Sequence, residues 1–133
     1  GKSREGGKWL PYTVYLVGKD DQTNGKGEYF PYRAKGMQPV IEDGTVAVKQ
    51  AAAVAGDTVS ISPEQTTING EPRELGRLFD PKNFDVDTER LTRTITLEEG
   101  QLFGMGTLKS SYDSRYAGPI NQEQVIARAI PLW

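Results

Sequence analysis

The chain alternates short apolar runs with polar, glycine-rich breaks and nowhere sustains a helical period. Tyr12 to Val17 (YTVYLV) is dense in β-branched and aromatic residues and predicts a strand. Glu28 to Ala34 (EYFPYRA) predicts a second. Pro31 inside it cannot donate a ladder hydrogen bond, so this strand is expected at a sheet edge or at a bulge. Thr45 to Val48 and Thr58 to Ile61 predict two strands around a turn at Gly56-Asp57, the second alternating with period two. Thr66 to Ile68 followed by Asn69-Gly70 predicts a hairpin, because Asn-Gly suits the positive backbone angles of a type I′ turn. Arg93 to Leu97, Gln101 to Met105 and a segment from Val125 onward complete the set.

Between these runs the composition is that of loops: Gly18 to Gly27, Lys35 to Gly44 and Gly106 to Pro119. Leu75, Leu78, Phe79 and Phe84 suggest a short helix or packed loop, interrupted by Pro81, and the charges from Asp80 to Arg93 an exposed excursion. The sum is about seven short strands with little helix, an all-β (β-dominated) domain.

A chain of 133 residues fits one domain, here 9–133, preceded by a polar, glycine-rich stretch, 1–8, expected as a flexible tail or linker stub. Sixteen basic and eighteen acidic residues leave a net charge of −2, which gives no nucleic-acid footprint. No apolar run approaches the roughly 18 residues needed to span a bilayer. The chain has no cysteine and no histidine. That removes disulfides, thiol nucleophiles, the Ser-His-Asp triad and the usual zinc ligand sets, so no cofactor and no metal are expected. If the chain hydrolyses acyl groups, a Ser/Lys dyad is the arrangement left.

Lys49 is a candidate for partial burial and, if buried, for a general base. It lies in an apolar run, with Val48 before it and Ala51, Ala52 and Ala53 after it. Burial disfavours a charged ammonium, and a neutral lysine accepts protons near neutral pH. A lysine in such a run more often faces solvent. The second informative stretch is Ser111-Tyr112-Asp113-Ser114-Arg115-Tyr116, where an Asp-Arg pair can lock a hydroxyl-rich loop by charge-assisted hydrogen bonds, although polar loops of this composition are also common turns.

Taken together, VAVKQAAAVAGDTVSI, the Ile68-Asn69-Gly70-Glu71 hairpin, the strand around Glu28 to Arg33, the box from Ser111 to Pro119 and the closing IARAIPLW resemble the signal peptidase I superfamily, in order and spacing over almost the whole chain. The form is most similar to the TraF-type peptidases of conjugative transfer, which mature pilin subunits. The resemblance implies a signal-peptidase-like twisted β-sheet domain over 9–133. It implies Lys49 as general base, Ser111 as the hydroxyl that orients it, Asp113 and Arg115 as a structural ion pair beside Ser114, and Gly56-Asp57 as the turn after the lysine strand. Placing Leu10-Pro11 on the nucleophile box puts Trp9 at the nucleophile. A second register, through Gly36-Met37-Gln38-Pro39, puts Gly36 there and sets the box after the strand it should precede. Neither register supplies a serine, and Ser3 is the only serine before Ser60.

The functional expectation is therefore a Ser/Lys-type endopeptidase fold whose nucleophile position is substituted. It would act on pre-pilin or other translocated polypeptides at the periplasmic face of the inner membrane, through an anchor outside this chain. A non-catalytic binder of the same substrates is the alternative. A cytosolic self-cleaving repressor-type domain shares the Ser/Lys logic, but the Ser111 to Pro119 box and the lack of a DNA-binding segment argue against it.

Overall fold

The structure, a computed structural model, describes residues 2–5, 8–18, 25–78, 87–107 and 111–132, with side chains over 25–78, 87–107 and 111–127. Two antiparallel sheets carry the described chain. The larger runs in the order β1 (Lys2–Glu5), β2 (Lys8–Gly18), β11 (Ala127–Leu132), β3 (Tyr29–Arg33), β4 (Val46–Val54), β9 (Gln101–Met105), β10 (Ile120–Asn121). The smaller runs β7 (Glu71–Pro72), β6 (Thr66–Ile68), β5 (Thr58–Ile61), β8 (Arg93–Thr96). Among the described residues helix is confined to single turns: α1 (Thr88–Leu91), α2 (Ser114–Ala117) and a 3-10 turn at Gln122–Gln124. The β-dominated class expected from the sequence is the one observed. No helix among the described residues is long and apolar enough to cross a membrane.

Period-two patterning assigns the faces. In β5, Val59 and Ile61 are buried while Thr58 and Ser60 are only partly so. These residues, with Ile68 of β6, pack between the sheets against Ala52, Ala53, Phe103 and Met105. The opposite face of the larger sheet has its own apolar cluster, built from Phe30, Tyr32, Ala47, Ala51, Leu102, Ile120 and Val125. β4 and β9 therefore bury both faces, which is why the alanine run of β4 reads as continuously apolar.

Asn69 and Gly70 have φ of 52° and 83°, the pair of positive angles that a type I′ turn requires. Pro31 lies in an interior strand between β11 and β4, not at an edge. The proline is accommodated because β3 meets β11 only at Tyr29–Ala129 and resumes at Tyr32–Val125, one residue out of register. The bulge, not the edge, resolves the missing donor.

Lys2–Glu5, within the stretch read as a tail, pairs with β2 as β1. Three strands separate β1 from β4 in the sheet order, yet their Cα atoms come within 8 Å. The larger sheet therefore coils back on itself, in the sense that accumulated strand twist drives. Phe79, Pro81 and Phe84 of the expected excursion, and 19–24 of the Gly18 to Gly27 loop, lie outside the described residues.

Candidate active site

β4 enters the site from Val46, and its alternation sends Ala47, Lys49 and Ala51 to the same buried face. Lys49 is fully buried, 0 % exposed, so the solvent-facing reading of this lysine is not what the fold adopts. Phe30 of β3 is its cross-strand partner. On the other side β4 pairs with β9 through Gln50–Met105 and Ala51–Gly104. The ladder stops at Gln50–Met105, and the next residue along the chain from Met105 is Gly106.

Gly106 is where the second sequence motif attaches. Its N–H donates to Asp113 Oδ2 at 2.9 Å, and the N–H of Gly104 donates to Ser114 Oγ at 2.9 Å. The box is thus stitched to β9 alongside the lysine strand. Asp113 caps α2, accepting from the Arg115 N–H at 3.0 Å, which satisfies an otherwise orphaned donor of the helix start.

Arg115 and Asp113 are both fully buried and meet in a two-pronged ion pair, Nε to Oδ1 at 2.8 Å and Nη2 to Oδ2 at 2.9 Å. Arg115 Nη2 also donates to the Ser111 carbonyl at 3.0 Å, and Nη1 donates to the carbonyls of Leu75 at 2.9 Å and Arg77 at 2.7 Å. The planar fork of guanidinium donors suits such a hub, where lysine's single ammonium would not. The expected ion pair is present, and it reaches farther than the loop it was expected to fix. Ser111 is buried at 7 % exposure and Ser114 at 1 %.

Leu75 sits at φ 59°, an unfavourable angle for a leucine, with its carbonyl held by Arg115 and its side chain 40 % exposed. Arg73 Nη2 hydrogen-bonds Gln50 Oε1, next to Lys49, so segment 73–77 is tied both to the lysine strand and to the Ser111 box. Tyr112 stacks on Tyr116 at 4.9 Å between centroids. Burial pushes the Tyr112 phenol above its ordinary value, which keeps it protonated.

Gly56 and Asp57 build the turn between β4 and β5. Gly56 has φ 93°, open to glycine at no steric cost. Asp57 accepts from the Val54 N–H at 3.0 Å and from Asn69 Nδ2 at 2.9 Å, and pairs with Lys26 Nζ at 3.1 Å. Burial pushes its carboxyl up, but the bonds from Val54, Asn69 and Lys26 outweigh that and hold it below the usual value. These two residues brace the end of β4 that leads into β5.

Trp9 lies in β2, opposite Arg4 of β1; its side chain is outside the described set. Gly36, the other candidate register, stands in a loop with φ 75° and donates its N–H to Asp43 at 3.0 Å. Besides its ladder partners β3 and β9, β4 is approached by β1, which carries Ser3. Sequence reasoning passed over Gly104, whose signal was a lone glycine inside a strand pattern, a mark of close approach. Among the described residues no group of three or more carboxylates converges to hold a metal.

The family profile described as "Signal peptidase, peptidase S26" matches residues 23–133. No curated protein matches the sequence. Among solved structures, a signal peptidase I from Enterococcus faecalis superposes with a TM-score of 0.51 at 20 % identity, over 80 % of this chain and 97 % of that one.

Proposed function

The chain belongs to the signal peptidase family S26, and from that premise we propose that its site is laid out for Ser/Lys acyl transfer on translocated, membrane-proximal polypeptides, with pilin subunits of conjugative transfer as the substrate class. The observation that carries the reading is the complete burial of Lys49 on β4, beside the β9 segment to which the Ser111 box is bonded. An amine out of water favours its neutral, proton-accepting form. Such an amine takes the proton of a serine hydroxyl as that oxygen attacks the scissile carbonyl carbon. It returns the proton to the departing amine, then activates water to hydrolyse the acyl-serine. Ser111 orients the amine, and Asp113 with Arg115 holds the Ser111 segment in place. The chemistry takes place at the extracytoplasmic face of a membrane, where this family acts.

In this reading the nucleophile register carries Trp9, an indole that cannot attack a carbonyl, so the chain as it stands does not turn over. The second reading is a non-catalytic holder of the same extended polypeptides, bound by strand addition. Trp9 is the observation that favours it.

An acylating lipopeptide or β-lactam trap followed by intact-mass analysis tests both. Trp9→Ser is expected to gain one acyl mass at residue 9, lost again in Trp9→Ser/Lys49→Met, while the parent gains none. Acylation of the parent at Ser3 or Ser111 would overturn the assignment of Trp9. Absence of any adduct together with retained binding of an extended peptide would establish the holder in its place.

A further inference from the structure

Gly104 is a glycine in the interior of a buried strand, where glycine is unfavourable because it packs nothing and loses more chain entropy than any other residue. Its backbone is not left-handed, so conformational freedom does not account for it. Space does. A Cβ built at this position would lie 2.9 Å from Ile120 Cδ1, 3.1 Å from Lys49 Cβ and 3.2 Å from Phe30 Cζ. Ile120 Cδ1 and Phe30 Cζ are far ends of side chains and yield by small rotations. Lys49 Cβ does not: it is fixed to a β4 backbone laddered to β3 on one side and to β9 on the other. Nor can β9 retreat freely, because the Gly104 N–H is bonded to Ser114 Oγ.

We propose that Gly104 is a positioning residue for Lys49: the missing side chain is the room through which the lysine stem runs, and any substituent there turns the amine away from its working position. The same residue bonds Ser114 on its backbone side, so one position sets the spacing between the lysine and the box that faces it. This rests on the assignment of Lys49 as the base, and it adds the residue that fixes where that base stands.

The test compares Gly104→Ala, Ile120→Val and the double variant, first by thermal melting. It then follows the Lys49 amine by NMR titration in isotopically labelled lysine, assigned with Lys49→Met. Ile120→Val removes the nearest clashing carbon and is expected to leave the Lys49 titration where it is in the parent. The double variant is expected to recover most of the melting temperature that Gly104→Ala loses, while its Lys49 midpoint stays displaced by about half a pH unit or more. In a Trp9→Ser background the pH profile of acylation should shift in step. A double variant that folds and titrates at the parent's midpoint overturns the proposal, as does a Gly104→Ala protein indistinguishable from the parent. A displaced midpoint with no acylation of Trp9→Ser supports the positioning role and overturns the peptidase reading, so the two failures are distinguishable.

Discussion

Among the described residues two basic side chains, Arg115 and Lys49, are wholly buried, and their surroundings differ. Arg115 is held by its head: Asp113 and three backbone carbonyls, those of Ser111, Leu75 and Arg77, receive its side-chain donors. Lys49 has Phe30 opposite it on β3 and the open space of Gly104 against its Cβ on β9. Arginine stays charged at any pH a protein meets, so it is tolerated inside only where its hydrogen bonds are met. Lysine can lose its proton, so an apolar wall is a way of making it a base. On the proposed reading, the difference separates a charge that supports the architecture from an amine kept for chemistry.

Removing each head group should therefore have opposite consequences. Arg115→Ala leaves Asp113 buried without its ion partner and frees three carbonyls, a loss on the order of 3 kcal/mol in denaturant unfolding. A variant that melts with the parent would reduce Arg115 to a bystander. Lys49→Met keeps the stem's volume, so its stability should stay close to the parent's, while acylation in the Trp9→Ser background disappears. A large loss of stability on Lys49→Met would mean that the lysine is a structural charge after all, and the comparison would collapse.

The smallest effect belongs to Asp57, a carboxylate that braces the turn at the end of the lysine strand. Its folded value lies below the ordinary one, so its contribution is fully present above the unfolded value near pH 4 and is lost as pH falls through the folded value. The unfolding free energy of the parent should drop on acidification below about pH 4, and Asp57→Asn should flatten that drop by less than ~1 kcal/mol, since Lys26 is half in solvent. An unchanged acid limb in the variant would remove Asp57 from the account.

Local chemistry was what the sequence made legible. Asn69-Gly70 announced its turn because only certain residues take those angles, and the run around Lys49 announced a buried strand because both of its faces are covered. Gly56-Asp57 was readable for the same reason. What stayed hidden depends on partners remote in the chain. Pro31 announced an edge or a bulge, but the choice between them is made by an offset in β11, which no pattern around residue 31 contains. α1 is set by Asp87, whose side chain accepts from the N–H groups of Glu89 and Arg90, and in sequence it is one more charge in a charged run. The reach of Arg115 to Leu75 and Arg77 spans 38–40 residues, beyond any local period.

That long reach has a consequence for how this chain can vary. Arg115 clasps the carbonyls of Leu75 and Arg77 from one side, and Arg93 Nη1 donates to the carbonyl of Arg115 itself at 3.2 Å from the other. The stretch between Leu78 and Asp87 is thereby flanked by anchored chain on both sides, Leu91 of α1 being packed into the core. Closing such an excursion grows costlier only slowly with its length, by about 0.6 kcal/mol for each doubling. Insertions or deletions placed there should leave the lysine strand and the Ser111 box undisturbed, which makes this stretch the natural seat for length variation and for grafted sequence.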